Sequence, residues 1–240
     1  MSSLLEVGVA GLAVCHPDPG SRPQPSILPP NERRRAPDTV AIALEVAHAA
    51  CVNAGRDPAQ LPAVFASTYG DLAITDYMCS TLASTPLTLS PTRFHNSVHN
   101  AAAGYWSIAT GCRQSYCALG AGRYTFAAGL FAAALQVCAD QTDVLLVAYD
   151  IETRGPLARI APSRGILGVA LVLSAAAAAA ATGLQLTVTD IEPPLPPDAG
   201  SGNGMAASLP LVAALVAKAA AVLSLPLGPH SCLEVRLQPR

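Results

Sequence analysis

The stretch from Gln114 to Asp150 constrains the fold more than any other part of the chain. Residues 115–119 are strand formers, and Gly120-Ala121-Gly122 follows as a tight turn in which the glycines let the backbone reverse cheaply. Residues 123–139 carry Phe126, Leu130, Ala133, Ala134 and Val137 along one helical face, which predicts an amphipathic helix. Residues 143–148 read as a strand, continuously apolar after Asp143, the pattern of a strand buried on both faces. Strand, helix and strand in this order imply a parallel pair joined by a right-handed crossover. The expected fold is therefore α/β and layered.

The remaining segments fit that plan. Residues 4–15 read as a strand closed by His16-Pro17-Asp18-Pro19-Gly20, and a Pro-rich loop runs on to Pro30. Asp38 is expected to cap a helix with Val40, Leu44, Ala47 and Cys51 on its apolar stripe, ended by Gly55. A strand over 63–67, a helix over 70–83 and a helix over 97–110 follow. Strands are expected at 165–173 and 184–190, separated by a tightly packed alanine helix over 175–181. A long loop at 191–204 precedes a helix over 205–225 and a last strand over 232–237. The whole of 1–240 is read as one domain, and no solenoid-type repeat is found.

Composition narrows the function classes. At 51% hydrophobic and 12% charged residues the chain is too apolar for intrinsic disorder. Fourteen Lys and Arg against sixteen Asp and Glu give a net charge of −2, so nucleic acid and acidic membranes are not expected partners. Aromatics at 5% leave Ala, Leu and Val to build the core, which suits helices packed closely on a buried sheet. The seven cysteines form no Cys-x-x-Cys pair and are expected to be reduced, in the cytoplasm. The apolar stretch 7–15 follows Glu6 and lacks a basic region, so it is not read as a secretion signal. Residues 166–186 and 205–227 are long enough to span a bilayer. Gly168, Ser174, Thr182, Gly183 and Gln185 interrupt the first and Pro210 and Lys218 the second, so no membrane insertion is expected.

Four constellations admit a chemical reading. Gly120 and Gly122 begin a dinucleotide-type Gly-x-Gly-x-x-Gly with Asp150 available for a ribose, but Thr125 stands at the third glycine. The same bend has the geometry of a nucleophile elbow, yet it carries neither Ser nor Cys, and Cys117 lies back in the strand. Cys117 is expected to be a small apolar core residue, with a nucleophile as the alternative. His95 and His99 stand at i, i+4 on one expected helix face with no third ligand, so hydrogen bonding at a helix start with Asn96 and Ser97 is expected rather than metal. Arg33, Arg34 and Arg35 read as a solvated loop face, with docking of an acidic partner as the alternative.

The order of these pieces resembles the N-terminal half of a β-ketoacyl synthase, a condensing enzyme of thiolase-like layered fold. The resemblance is carried by 7–13 at the first strand, Glu32 to Arg35, 54–58, Val64-Phe65-Ala66-Ser67, 102–111 and the glycine-rich 164–173. Residues 90–100 with Gly104-Tyr105-Trp106 resemble, more narrowly, the short ketosynthase-like chain length factors of aryl polyene and xanthomonadin-type pigment clusters. In active members a cysteine at the elbow takes the acyl chain. Here the elbow aligns with about Ala121, and the residues after Asp150 hold one histidine, His230. The resemblance thus implies a shortened, non-catalytic subunit without cofactor or metal, pairing with a catalytic ketosynthase and served by an acyl carrier protein in polyketide or fatty-acid-type elongation. It implies that Gln114, Ser115, Tyr116, Cys117, Ala118 and Leu119 form the dimer strand. It also implies that Phe94, His95, Val98, His99, Tyr105 and Trp106 line an acyl pocket, and that Arg33, Arg34 and Arg35 dock the carrier. The alternatives are an independent condensing enzyme or acyltransferase using Cys117, and a Rossmann-type nucleotide-binding protein.

Overall fold

The computed structural model describes residues 4–176, 182–191 and 202–239. Eight strands form one mixed sheet: β1 (Leu4–Cys15), β2 (Ala63–Ala66), β3 (Tyr116–Leu119), β4 (Val144–Asp150), β5 (Leu167–Ser174), β6 (Thr182–Thr189), β7 (Ala221–Gly228) and β8 (Ser231–Pro239). Their order across the sheet is β3-β2-β4-β5-β1-β6-β8-β7. β2 is parallel to both β3 and β4, and every other pairing is antiparallel. The expected parallel relation of the third and fourth strands is present, but β2 lies between them. The crossover helix α6 (Thr125–Asp140) therefore passes over one intervening strand.

Period-two alternation divides β4 between two cores. Val144, Leu146 and Ala148 meet Phe126, Leu130, Ala133 and Val137 of α6 on one face. Leu145, Val147 and Tyr149 face α2 (Asp38–Ala54) and α5 (Ala101–Thr110), with Trp106 and Leu28 filling the layer. Burying each large α6 side chain stabilises the fold by about 1.5–3 kcal/mol. Small residues set the spacing between layers. A Cβ on Gly129 of α6 would stand 2.9 Å from Ala66 Cβ, and one on Gly11 of β1 would stand 2.4 Å from the carbonyl oxygen of Ala50 in α2.

Several expectations need correction. The helix expected over 97–110 is two, α4 (Pro91–Ser97) and α5, broken because Val98 turns extended and His99 leaves the helical path. The earlier start was legible in Ser90-Pro91: Ser90 Oγ accepts from the Arg93 N–H, and proline occupies a position where its missing N–H costs nothing. The helix expected over 205–225 stops as α7 (Leu209–Ala217) at Lys218, whose φ of 49° is left-handed, and 221–228 pairs with β8 instead. Asp38 does not cap α2. It lies in the first turn and pairs with Arg22 at 2.6 Å. Gly55 does end α2, at φ 62°. The helix expected over 70–83 is α3 (Leu72–Ser84), capped by Asp71, whose Oδ1 accepts from the Ile74 N–H at 2.9 Å. The arginine triplet expected in a loop belongs to the short helix α1 (Pro30–Arg35). The alanine helix expected at 175–181 and the loop at 191–204 fall largely outside the described residues. Among the described residues no helix is long and apolar enough to cross a membrane.

Two glycines with opposite surroundings test the layer spacing. Gly11→Ala should destabilise by about 1–3 kcal/mol, because backbone of α2 must move. Gly104→Ala, at a helical site with nothing within 4 Å of the new carbon, should stabilise by about 0.5–1 kcal/mol in urea unfolding. Equal effects of the two would contradict the packing described.

Candidate functional site

The C-terminal ends of β2, β3 and β4 converge on the bend Gly120-Ala121-Gly122, which connects β3 to α6. Gly122 is left-handed, with φ 55°. Gly120 is needed for a different reason: a Cβ there would lie 2.9 Å from the carbonyl oxygen of Ser67 and 3.4 Å from the His99 ring. Thr125 closes the bend from inside, since its hydroxyl donates to the Gly122 carbonyl at 2.6 Å and accepts from the Ala121 N–H at 2.9 Å. That hydroxyl is buried and fully engaged. Gly120, Ala121 and Gly122 themselves carry neither sulfur nor hydroxyl, and the Tyr124 hydroxyl accepts from Arg123 at 2.7 Å.

His99 seals the floor. Its Nε2 lies 3.0 Å from the Leu119 carbonyl, so this nitrogen carries the proton and donates, while Nδ1 faces Gly70. His95 is exposed on α4 and stacks edge-to-face on Tyr105, with centroids 5.9 Å apart. The two histidines therefore do not share a helix face. Among the described residues no group of three His, Cys, Asp or Glu is placed to hold a metal.

Sequence reasoning missed the polar cluster behind the bend. Asp150 ends β4 and is only 3% exposed, with Oδ1 accepting from the Ser67 hydroxyl at 2.8 Å and the Thr68 N–H at 3.0 Å. Its Oδ2 and the Thr68 Oγ1 are buried without partners among the described residues and lie against Gly204, where a Cβ would fall 2.1 Å from Oδ2. Asn203 Nδ2 donates to the carbonyls of Asp150, Arg164 and Gly165, which pins this loop over the carboxyl. Burial raises the Asp150 pKa, and its hydrogen bonds to Thr68 and Ser67 with the charge of His99 oppose that. An enclosed carboxyl of this kind is not open to a ribose, which removes the residue on which the dinucleotide reading leaned.

A family model described as beta-ketoacyl synthase, N-terminal domain, matches residues 12–225. The chain belongs to that family. Its thiolase-like fold is shared with solved structures of low sequence identity. A ketosynthase in complex with its chain length factor from Xenorhabdus doucetiae has a TM-score of 0.71 at 19% identity, covering 98% of this chain and 97% of that one. A type II polyketide synthase acyl-carrier protein in complex with its ketosynthase gives 0.75 at 11% identity, over 99% and 100%. The ishigamide ketosynthase/chain length factor gives 0.69 at 13%, over 98% and 99%. No curated protein matches the sequence significantly.

Within the ketosynthase fold the other expected site residues are scattered. Cys117 is exposed on β3 rather than a core residue, because β3 is the sheet edge and no described strand pairs with its outer side. Gln114, Ser115 and Tyr116 are exposed, and Ala118 and Leu119 half-buried. Tyr116 accepts at its hydroxyl from Asn100 Nδ2 at 3.3 Å. Phe94 and Val98 are exposed apolar side chains and Tyr105 is half-buried. Trp106 cannot line an open pocket, since it is 2% exposed inside the α2–α5 layer. Arg33 turns back to the Leu28 carbonyl at 2.9 Å and Arg34 bonds Asn31, so the triplet does not present three free guanidinium groups.

The raised Asp150 pKa makes a signed prediction. Above its ordinary 3.8 the unfolded carboxyl has lost a proton that the folded one still holds, so this residue's contribution falls as pH rises from about 4 toward 7. Asp150→Asn keeps the Oδ1 acceptor and removes the titration. Its unfolding free energy should decline less steeply than that of the parent over this range, and an identical slope would refute the assignment.

Proposed function

We propose that this chain is a non-catalytic ketosynthase-like subunit, a chain length factor, that pairs with a catalytic ketosynthase and shapes its acyl pocket. The observation that carries the reading is the corner at Gly120-Ala121-Gly122, which keeps the strand–turn–helix geometry of an elbow and offers nothing to acylate. A scaffold kept without its nucleophile is best used to support a neighbour's chemistry.

The two sheet edges support the pairing surface. β7, at one edge, contains Pro226 and a register shift between Pro226 and Gly228, both of which blunt strand addition. β3, at the other, has neither proline nor a charged residue. The Ala63 N–H donates to the Ser115 carbonyl and the Ser67 N–H to the Leu119 carbonyl. By alternation, the backbone groups of Tyr116 and Ala118 face outward, ready for a partner strand. Exposed Phe94 and Val98 stand ready to wall the partner's growing chain. The resemblance of 90–100 to the factors of aryl polyene and xanthomonadin-type clusters supports a polyene product delivered on an acyl carrier protein. Seven free thiols suit the reducing cytoplasm.

The test is co-expression with a ketosynthase that retains its cysteine. A stable heterodimer is expected, with Cys117 alkylated by iodoacetamide in the lone chain and protected in the complex. Ala118→Pro, which deletes an outward N–H, should leave the fold intact and abolish pairing. Condensing or self-acylating activity from the chain alone, or acyl transfer lost on Cys117→Ser, would establish the cysteine enzyme instead.

A further inference from the structure

Arg35 separates from its two neighbours in sequence and joins a different arginine. Arg33 is spent on the carbonyls of Ser26 and Leu28, and Arg34 on Asn31. Arg35 instead reaches a concavity of about 500 Å³ bounded by α1, α2, α3 and α4, where Arg93 of α4 also points. Arg93 Cζ sits over the Tyr77 ring, 3.9 Å from its centroid, which holds the guanidinium without consuming its hydrogen-bond donors. Among the described residues neither Arg35 nor Arg93 forms an ion pair.

The other charges of the concavity are already engaged. Asp38 is paired with Arg22, which also donates to the carbonyls of Arg34 and Ala36. Asp71 caps α3 through Oδ1, while Oδ2 accepts from the Thr39 hydroxyl at 3.4 Å, and burial raises its pKa. Two hydroxyls, Ser90 and Thr92, complete the donor set. Asn96 also lines the space; it is 6% exposed, and its Oδ1 has no partner. A buried acceptor left empty is costly, so it calls for a donor from elsewhere.

We propose that this concavity binds a small phosphate monoester, with Arg35 and Arg93 holding the phosphate and Asn96 accepting from a hydroxyl of the organic part. Two guanidinium forks on separate elements, with two hydroxyls, supply more donors than one carboxylate can accept, whereas a phosphate takes both forks. The volume exceeds what inorganic phosphate alone would fill, which leaves room for the organic part. The proposal concerns the chain itself and stands whether or not the chain pairs with a ketosynthase.

The test is calorimetric titration of the full chain at constant ionic strength with inorganic phosphate, glycerol 3-phosphate and succinate. Both phosphates should bind saturably, glycerol 3-phosphate several-fold more tightly, and succinate should not. Arg35→Ala and Arg93→Ala should each weaken both phosphates about tenfold. Arg93→Lys should recover part of the loss, because it keeps the charge over Tyr77 without the fork. Asn96→Ala should erase the advantage of glycerol 3-phosphate while leaving inorganic phosphate unchanged and thermal stability undiminished. No saturable binding by the parent, equal binding of succinate, or unchanged affinity in a folded Arg35→Ala/Arg93→Ala variant would overturn the proposal.

Discussion

β4 is buried along all seven of its residues, and this double-sided burial governs where the rest of the chain can go. A strand with apolar side chains on both faces needs a helical layer on each, so α6 must lie on one side and α2 with α5 on the other. Once those layers are set, the polar ends of β2, β3 and β4 have one common exit. Ser67, Thr68, Gly120, Asp150 and His99 meet there, drawn from four separate stretches of chain. The corner is shaped by contacts behind it as much as by its own glycines: Gly120 touches Ser67 and His99, and Ser67 holds Asp150.

The same packing explains how the corner holds its shape with only glycine and alanine at 120–122. The Thr125 hydroxyl takes up the Ala121 N–H and reinforces the Gly122 carbonyl, which the Thr125 N–H also reaches, and the His99 donor fixes the last carbonyl of β3. These bonds stabilise the turn whatever side chain stands at Ala121. The shape of the bend therefore does not depend on a larger or reactive side chain at position 121.

How much was legible in the sequence depended on range. β1, β4, β6 and α6 follow from local pattern, because burial of apolar side chains is written at fixed spacing, and β3 from its residue types beside the glycine turn. What failed was decided at long range. The last apolar stretch reads as helix throughout, yet 221–228 is claimed by β8 through a ladder of cross-strand bonds. Cys117 looks like core in a run of strand formers and is exposed only because no described strand pairs with the outer side of β3. Asp150 gave no local sign of its partners, which lie more than eighty residues away. The dispersal of Arg33, Arg34 and Arg35 is set by where Leu28 and Asn31 fall, which no charge count contains.

The unequal margins of the sheet also limit how far association can proceed. If both outer strands accepted addition, copies could stack end on end without limit and polymerise. Pro226 and its bulge terminate one direction, so each molecule has a single valence through its backbone. Any growth by strand addition would then end after one step, and a fold this rich in apolar strands is protected from fibre formation along that margin.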